Sequence, residues 1–136
     1  MKTVLVLCTG NSCRSIMAEG LINKLGNGNY KAVSAGSTPT GYVHPKSIET
    51  LSRHGISIDD PRSQSWNEFT DQSFDFIITV CDQAANETCP VFLGDGQKLH
   101  WSTPDPAHAK GTEHDINAAF DEAFSMLQNR IESELL

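Results

Sequence analysis

Residues 2–15 constrain this chain more than any other stretch. Lys2-Thr3-Val4-Leu5-Val6-Leu7-Cys8 is a near-continuous apolar run, the pattern of a strand buried on both faces. A tight loop of small residues follows, Thr9-Gly10-Asn11-Ser12-Cys13-Arg14-Ser15. Ile16, Met17, Leu21 and Leu25 then recur at helical spacing until Gly26 stops the helix. Strand, tight loop and helix in direct succession open a βαβ unit. The alternation continues. Tyr30 to Ser34 reads as a second strand, closed by Ala35-Gly36, and Pro45 opens a helix running to about His54, with Gly55 at its end. Phe74 to Val80 is β-branched and aromatic, and Leu99 to Ser102 is a short fourth strand. Ile116, Phe120, Ala123, Phe124, Leu127 and Ile131 form one apolar helical stripe, with Thr112 and Asp115 as a capping box. This pattern predicts an α/β fold: a single-domain three-layer sandwich with a four-stranded parallel sheet and helices on both faces. Ligands then sit at the carboxyl ends of the strands, where Cys8, Cys81 and Asp105 all fall.

At 136 residues the chain has room for about one domain, expected to span 1–136. A formal net charge of −7 argues against a nucleic-acid partner and against an anionic membrane surface. No run approaches the roughly 18 apolar residues of a membrane span, and the N-terminal apolar stretch is too short for a signal peptide. The expected compartment is the cytoplasm, where thiols stay reduced. The four cysteines, Cys8, Cys13, Cys81 and Cys89, then read as catalytic or metal-binding before they read as structural disulfides.

The loop from Cys8 to Ser15 carries the chemistry. It is a Cys, five residues and an Arg set between a buried strand and a helix. Successive backbone N–H groups of Thr9, Gly10, Asn11, Ser12, Cys13, Arg14 and Ser15 form a concave nest, and the helix start adds partial positive charge. A tetrahedral oxyanion such as phosphate or sulfate fits such a nest, and Arg14 can close on it with two parallel hydrogen bonds. The same field predicts a depressed Cys8 thiol pKa, with Ser15 donating to the thiolate. Gly10 allows close backbone approach, and Asn11 tolerates left-handed dihedrals and can brace the loop. Cys13 reads as a packing residue.

A Cys8 nucleophile needs a proton donor for the leaving oxygen. Asp105, stiffened between Pro104 and Pro106, is the candidate general acid. Cys81 and Cys89 leave three readings open: zinc ligation, core packing or a redox relay. The spacing does not suit zinc. If the segment between them were helical, eight residues would rise about 12 Å, too far for a disulfide without unwinding. His44, His54, His100, His108 and His114 have no metal spacing and read as surface or loop residues. Trp101 is expected to wall the site or the core. No metal and no cofactor is expected.

Val4 to Gly20, with Cys-Thr-Gly-Asn-Ser-Cys-Arg-Ser followed by Met-Ala-Glu-Gly, resembles the low-molecular-weight tyrosine phosphatase superfamily. More narrowly, with Ser34-Ala35-Gly36, the Cys81 to Cys89 segment and Thr103-Pro104-Asp105-Pro106, it is similar to the arsenate reductases on that fold that are recycled by thioredoxin or glutaredoxin. The resemblance implies that Cys8 attacks arsenate held by the loop and Arg14, and that Asp105 protonates the departing hydroxyl. It further implies a Cys8–Cys81 disulfide as arsenite leaves, and then a Cys81–Cys89 disulfide for the external reductant. The thioredoxin-coupled members carry that cysteine pair one residue closer. Some relatives bind potassium through residues matching Asn11, Glu19 and Ser34, but the further Asp they use is absent from Arg62-Ser63-Gln64-Ser65, so no ion is expected. The alternative is a tyrosine phosphatase using Cys8, Arg14 and Asp105 alone. Against it, Ala107-His108-Ala109 stands where those relatives carry an aromatic residue.

Overall fold

A computed structural model of the protein describes residues 1–81 and 96–136. Four strands, β1 (Lys2–Leu7), β2 (Tyr30–Ala35), β3 (Phe76–Thr79) and β4 (Gln97–His100), form one sheet in the order β2-β1-β3-β4. Every pairing is parallel, from Lys2 opposite Tyr30 to Phe76 opposite Gln97. The α-helices among the described residues are α1 (Arg14–Leu25), α2 (Pro45–Arg53) and α3 (Glu113–Glu134). The α/β fold predicted from the alternation of elements is therefore observed.

Val4, Leu5, Val6 and Leu7 of β1 are all buried, which is why that run carries no polar alternation. Side chains alternate across a strand. Val4 and Val6 join Ile78, Met17, Leu21, Leu51 and the α3 stripe Phe120, Phe124, Leu127 and Ile131 on one face. Leu5, Leu7 and Ile77 meet Trp66, Phe69 and Phe74 on the other. Each buried Phe, Leu or Ile in the α3 stripe contributes roughly 1.5–3 kcal/mol. Trp66 and Phe69 come from a 3-10 turn (Trp66–Phe69) capped by Ser65 and Glu68, an element absent from the sequence reading because four residues show no periodicity. Among the described residues no helix is long and apolar enough to cross a membrane.

Gly26 stops α1 as expected, in a right-handed conformation with φ −68°. It is glycine because a Cβ would meet the Ile22 carbonyl oxygen at 2.7 Å and Tyr30 Cβ at 2.9 Å. His44 and His54 sit at the two ends of α2, in keeping with their reading as surface or loop residues. His44 Nδ1 accepts the Lys46 N–H and caps α2, while His54 stacks on Phe124 at 3.9 Å between ring centroids.

The β1 connection runs to one edge of the sheet through α1, and the chain then crosses to the other side of β1 to lay down β3. The winding thus reverses between β1 and β3, and their carboxyl ends open a crevice. Cys8 and Cys81 follow those two ends.

Candidate active site

The loop from Cys8 to Arg14 is held from behind by its neighbours. Thr38, Thr40 and His44 donate backbone N–H bonds to the carbonyls of Thr9, Gly10 and Ser12 at 3.0, 3.1 and 3.0 Å. The Ser63 and Ser47 hydroxyls add bonds to the Gly10 and Ser12 carbonyls. With its carbonyls engaged in this way, the loop keeps its amides for the concave side.

Asn11 is the brace. It is fully buried, and its φ of 47° is left-handed as expected. Its Nδ2 donates to Ser15 Oγ at 2.8 Å and to Ser34 Oγ at 3.0 Å, while Oδ1 accepts the Gln64 N–H at 2.9 Å. Ser34 in turn donates to Glu19 Oε1 at 2.8 Å. Burial pushes the Glu19 carboxyl up, and the Ser34 hydrogen bonds temper the rise. The close backbone approach belongs to Gly36 and not to Gly10. A Cβ at Gly36 would lie 2.4 Å from the Thr9 carbonyl oxygen and 2.5 Å from that of Cys8, whereas one at Gly10 would meet the Thr40 methyl at 3.4 Å and the Ser12 hydroxyl at 3.9 Å. Among the described residues no cluster of His, Cys, Asp or Glu is arranged to hold a metal ion.

Arg14 opens α1. Its Nη1 donates to the Thr103 carbonyl at 3.0 Å, and its Nη2 lies 3.5 Å from Asp105 Oδ2. Thr103 is positioned by β3, donating its N–H to the Val80 carbonyl at 3.1 Å and its hydroxyl to the Trp101 carbonyl at 2.9 Å. Asp105 caps a second 3-10 turn (Pro106–His108), its Oδ1 accepting the Ala107 N–H at 3.0 Å. Trp101 belongs to the core, with no exposed surface. Thr9, Gly10, Arg14, Cys81, Thr103, Pro104 and Asp105 thus line one open cleft of about 550 Å³.

Cys8, Cys13 and Cys81 are buried free thiols. Cys81 Sγ accepts the Thr9 N–H at 3.3 Å and lies 3.7 Å from the Thr9 hydroxyl. Cys8 and Cys81 are hydrogen-bonded to each other. That bond pushes the Cys8 thiol up, burial adds to it, and the Arg14 guanidinium opposes them. The depressed Cys8 thiol expected from the loop is thus reversed here, because the expectation counted the helix start and Arg14 but not a second thiol against the first. Cys13 packs in the core as expected, and burial lifts its thiol to about 11. Ser15 Oγ accepts from Asn11, and the bond it makes within the described residues is to the brace rather than to Cys8. Cys89 lies outside the described residues.

Sequence reasoning missed Ser63 and Gln64 behind the loop and His108 beside Asp105. Ser63 and Gln64 carry no signal of their own, being polar residues about fifty positions from the loop they support. His108, three residues after Asp105, carried one in its spacing.

A Cys-x5-Arg loop thus lies at the switch point of a parallel sheet, with an aspartate across the cleft. The chain belongs to the low molecular weight phosphotyrosine protein phosphatase family, whose model matches residues 3–135. It is 34% identical over 132 residues to an arsenate reductase of Halalkalibacterium halodurans, covering 97% of this chain and 94% of that one. Among solved structures it is similar to an arsenate reductase in the phosphate binding state, with TM-score 0.76, 29% identity and 98% and 95% of the two chains covered. It is also similar to a thioredoxin-dependent arsenate reductase of Corynebacterium glutamicum, with TM-score 0.71, 25% identity, 98% of this chain and 61% of that one.

Proposed function

We propose that this enzyme reduces arsenate to arsenite, with Cys8 as nucleophile and with Cys81 and Cys89 carrying the electrons onward to thioredoxin or to glutathione and glutaredoxin. The observation that carries the reading is Cys81. Its sulfur sits at the anion loop, on the Thr9 N–H and against Cys8, and hydrolysis of a phosphate ester has no use for a second thiol there. As arsenate enters the nest, Arg14 turns from Asp105 to the anion, the Cys8 thiol gives up its bond with Cys81 and passes its proton to an arsenate oxygen, and the thiolate attacks arsenic. Asp105 donates a proton to the departing hydroxyl, which leaves as water, and a Cys8–arsenic bond forms. The Cys81 thiolate, stabilised by Thr9, then attacks Cys8 Sγ. The sulfur–arsenic electron pair stays on arsenic, which falls from As(V) to As(III) and departs as arsenite, and a Cys8–Cys81 disulfide remains. Cys89 attacks Cys81 and frees Cys8, and the Cys81–Cys89 disulfide is reduced by the external dithiol. Work in a reducing cytoplasm suits this cycle.

Arsenate and phosphate share shape and charge, so weak phosphatase activity is expected from Cys8, Arg14 and Asp105. Ala107, directly after Asp105-Pro106, offers no ring to hold a phenyl group. The deciding experiment uses Cys89→Ser. It releases about one equivalent of arsenite per protein and stalls as the Cys8–Cys81 disulfide, read by peptide mapping, while wild type without reductant accumulates Cys81–Cys89. Turnover of Cys89→Ser at the wild-type rate with thioredoxin would exclude the three-cysteine relay.

A further inference from the structure

Asp105 treats its two carboxylate oxygens differently. Oδ1 is pinned by the Ala107 N–H, 3.0 Å away. Oδ2 is shared between Arg14 Nη2 and His108 Nε2, each at 3.5 Å. His108 lines the same cleft as Arg14 and Cys81, and its side chain is 85% exposed at the cleft mouth. Whatever draws Arg14 onto an incoming anion leaves the His108 imidazole as the neighbour of Oδ2 among the described residues. An imidazole ionises within the physiological range and exchanges protons with water.

Resting on the arsenate-reducing reading, we propose that His108 is the proton reservoir of Asp105, a positioning residue that loads the acid between turnovers. The proton on Nε2 passes to Oδ2 when Arg14 leaves, breaking an N–H bond and making an O–H bond. Asp105 then passes that proton to the departing hydroxyl, and the exposed imidazole takes another from solvent. Among the described residues the charged and titratable groups near this turn include Cys8 and Cys13, which feel the Asp105 charge, and five more. Asp105 caps it, Arg14 approaches from the start of α1, Cys81 lines the cleft beyond β3, Glu122 of α3 lines a small cavity of about 90 Å³ beneath Pro104 and Pro106, and Lys110 follows in the chain.

Two measurements test this. The first is the single-turnover rate of arsenite formation between about pH 5.5 and 8.5 in wild type, His108→Gln and His108→Lys. His108→Gln is expected to run about threefold to fivefold slower than wild type near pH 6, and closer to it toward the alkaline end of the range. His108→Lys restores the positive charge but holds its proton too tightly to pass it on, so it stays slow. Coincident profiles for wild type and His108→Gln would overturn the reservoir, as would full rescue by lysine. The second measurement is the proton NMR titration of the His108 ring in wild type and in Asp105→Asn. The pair predicts that the ring proton signals of His108 move when the carboxylate is removed. Unchanged ring signals overturn the proposal without reference to activity. If wild type makes no arsenite at any pH, the reductase reading fails, and the NMR result still decides the pair.

Discussion

Two loops face each other across the cleft and are built in opposite ways. The loop from Cys8 to Arg14 is overdetermined, with three of its carbonyls taken by backbone amides, a buried left-handed Asn11 at its centre, and Gly36 pressed against its first two carbonyls. The loop carrying Asp105 rests on two prolines, one capped 3-10 turn and ion pairs of 3.5 Å that water reaches. In the proposed mechanism the nucleophile and anion site are preorganised, since donors that had to be assembled at each turnover would lose their electrostatic advantage. The proposed acid gains and loses a proton each cycle, which suits surroundings that are open to solvent and lightly held.

The contrast predicts that the two loops fail differently. The largest effect belongs to Asp105→Asn, which lowers the rate of arsenite formation about 100- to 10,000-fold while leaving phosphate affinity and unfolding midpoint nearly unchanged. Unaltered turnover would remove Asp105 from the chemistry. Asn11→Ala strikes the other loop. It strips the partners from the Gln64 amide and from the Ser15 and Ser34 hydroxyls, and costs about 3 kcal/mol in denaturant unfolding. A loss within about 0.5 kcal/mol, typical of exposed sites, would break the comparison. Cys81→Ala removes the largest influence raising the Cys8 thiol. The Cys8 thiolate then forms at lower pH, so the midpoint of its alkylation rate against pH moves down and alkylation at neutral pH speeds up. A midpoint that stays or rises would show that the thiol pair does not control Cys8. The smallest effect is that of Pro104→Ala, which costs about 0.4–1 kcal/mol through the unfolded chain and leaves the anion site intact.

Much of this was legible in the chain itself. The unbroken apolar run before Cys8 announces a strand buried on both faces, and β1 is buried on both. The α3 stripe and its Thr112–Asp115 capping box are observed as read, because helical periodicity over 22 residues leaves little room for another structure. The Trp66–Phe69 turn was not legible, since its role is to cover Leu5 and Leu7 and no local pattern marks it. The same limit hid the supports of the anion loop. Gly36 shows no sign in sequence that a Cβ would strike the Cys8 carbonyl, and Gln64 none that its amide meets Asn11.

Local sequence therefore determined the elements, the Cys-x5-Arg loop between β1 and α1, and Asp105 in a proline-stiffened turn, because each is dictated by neighbours a few residues away. Tertiary structure alone decided the protonation of Cys8, the partner of Arg14 and the neighbours of Asp105. Those depend on Coulomb and hydrogen-bond energies that act over a few ångströms. Residues 8 and 81, or 14 and 105, come within that range only because the sheet order β2-β1-β3-β4 gathers the carboxyl ends of its strands at one edge.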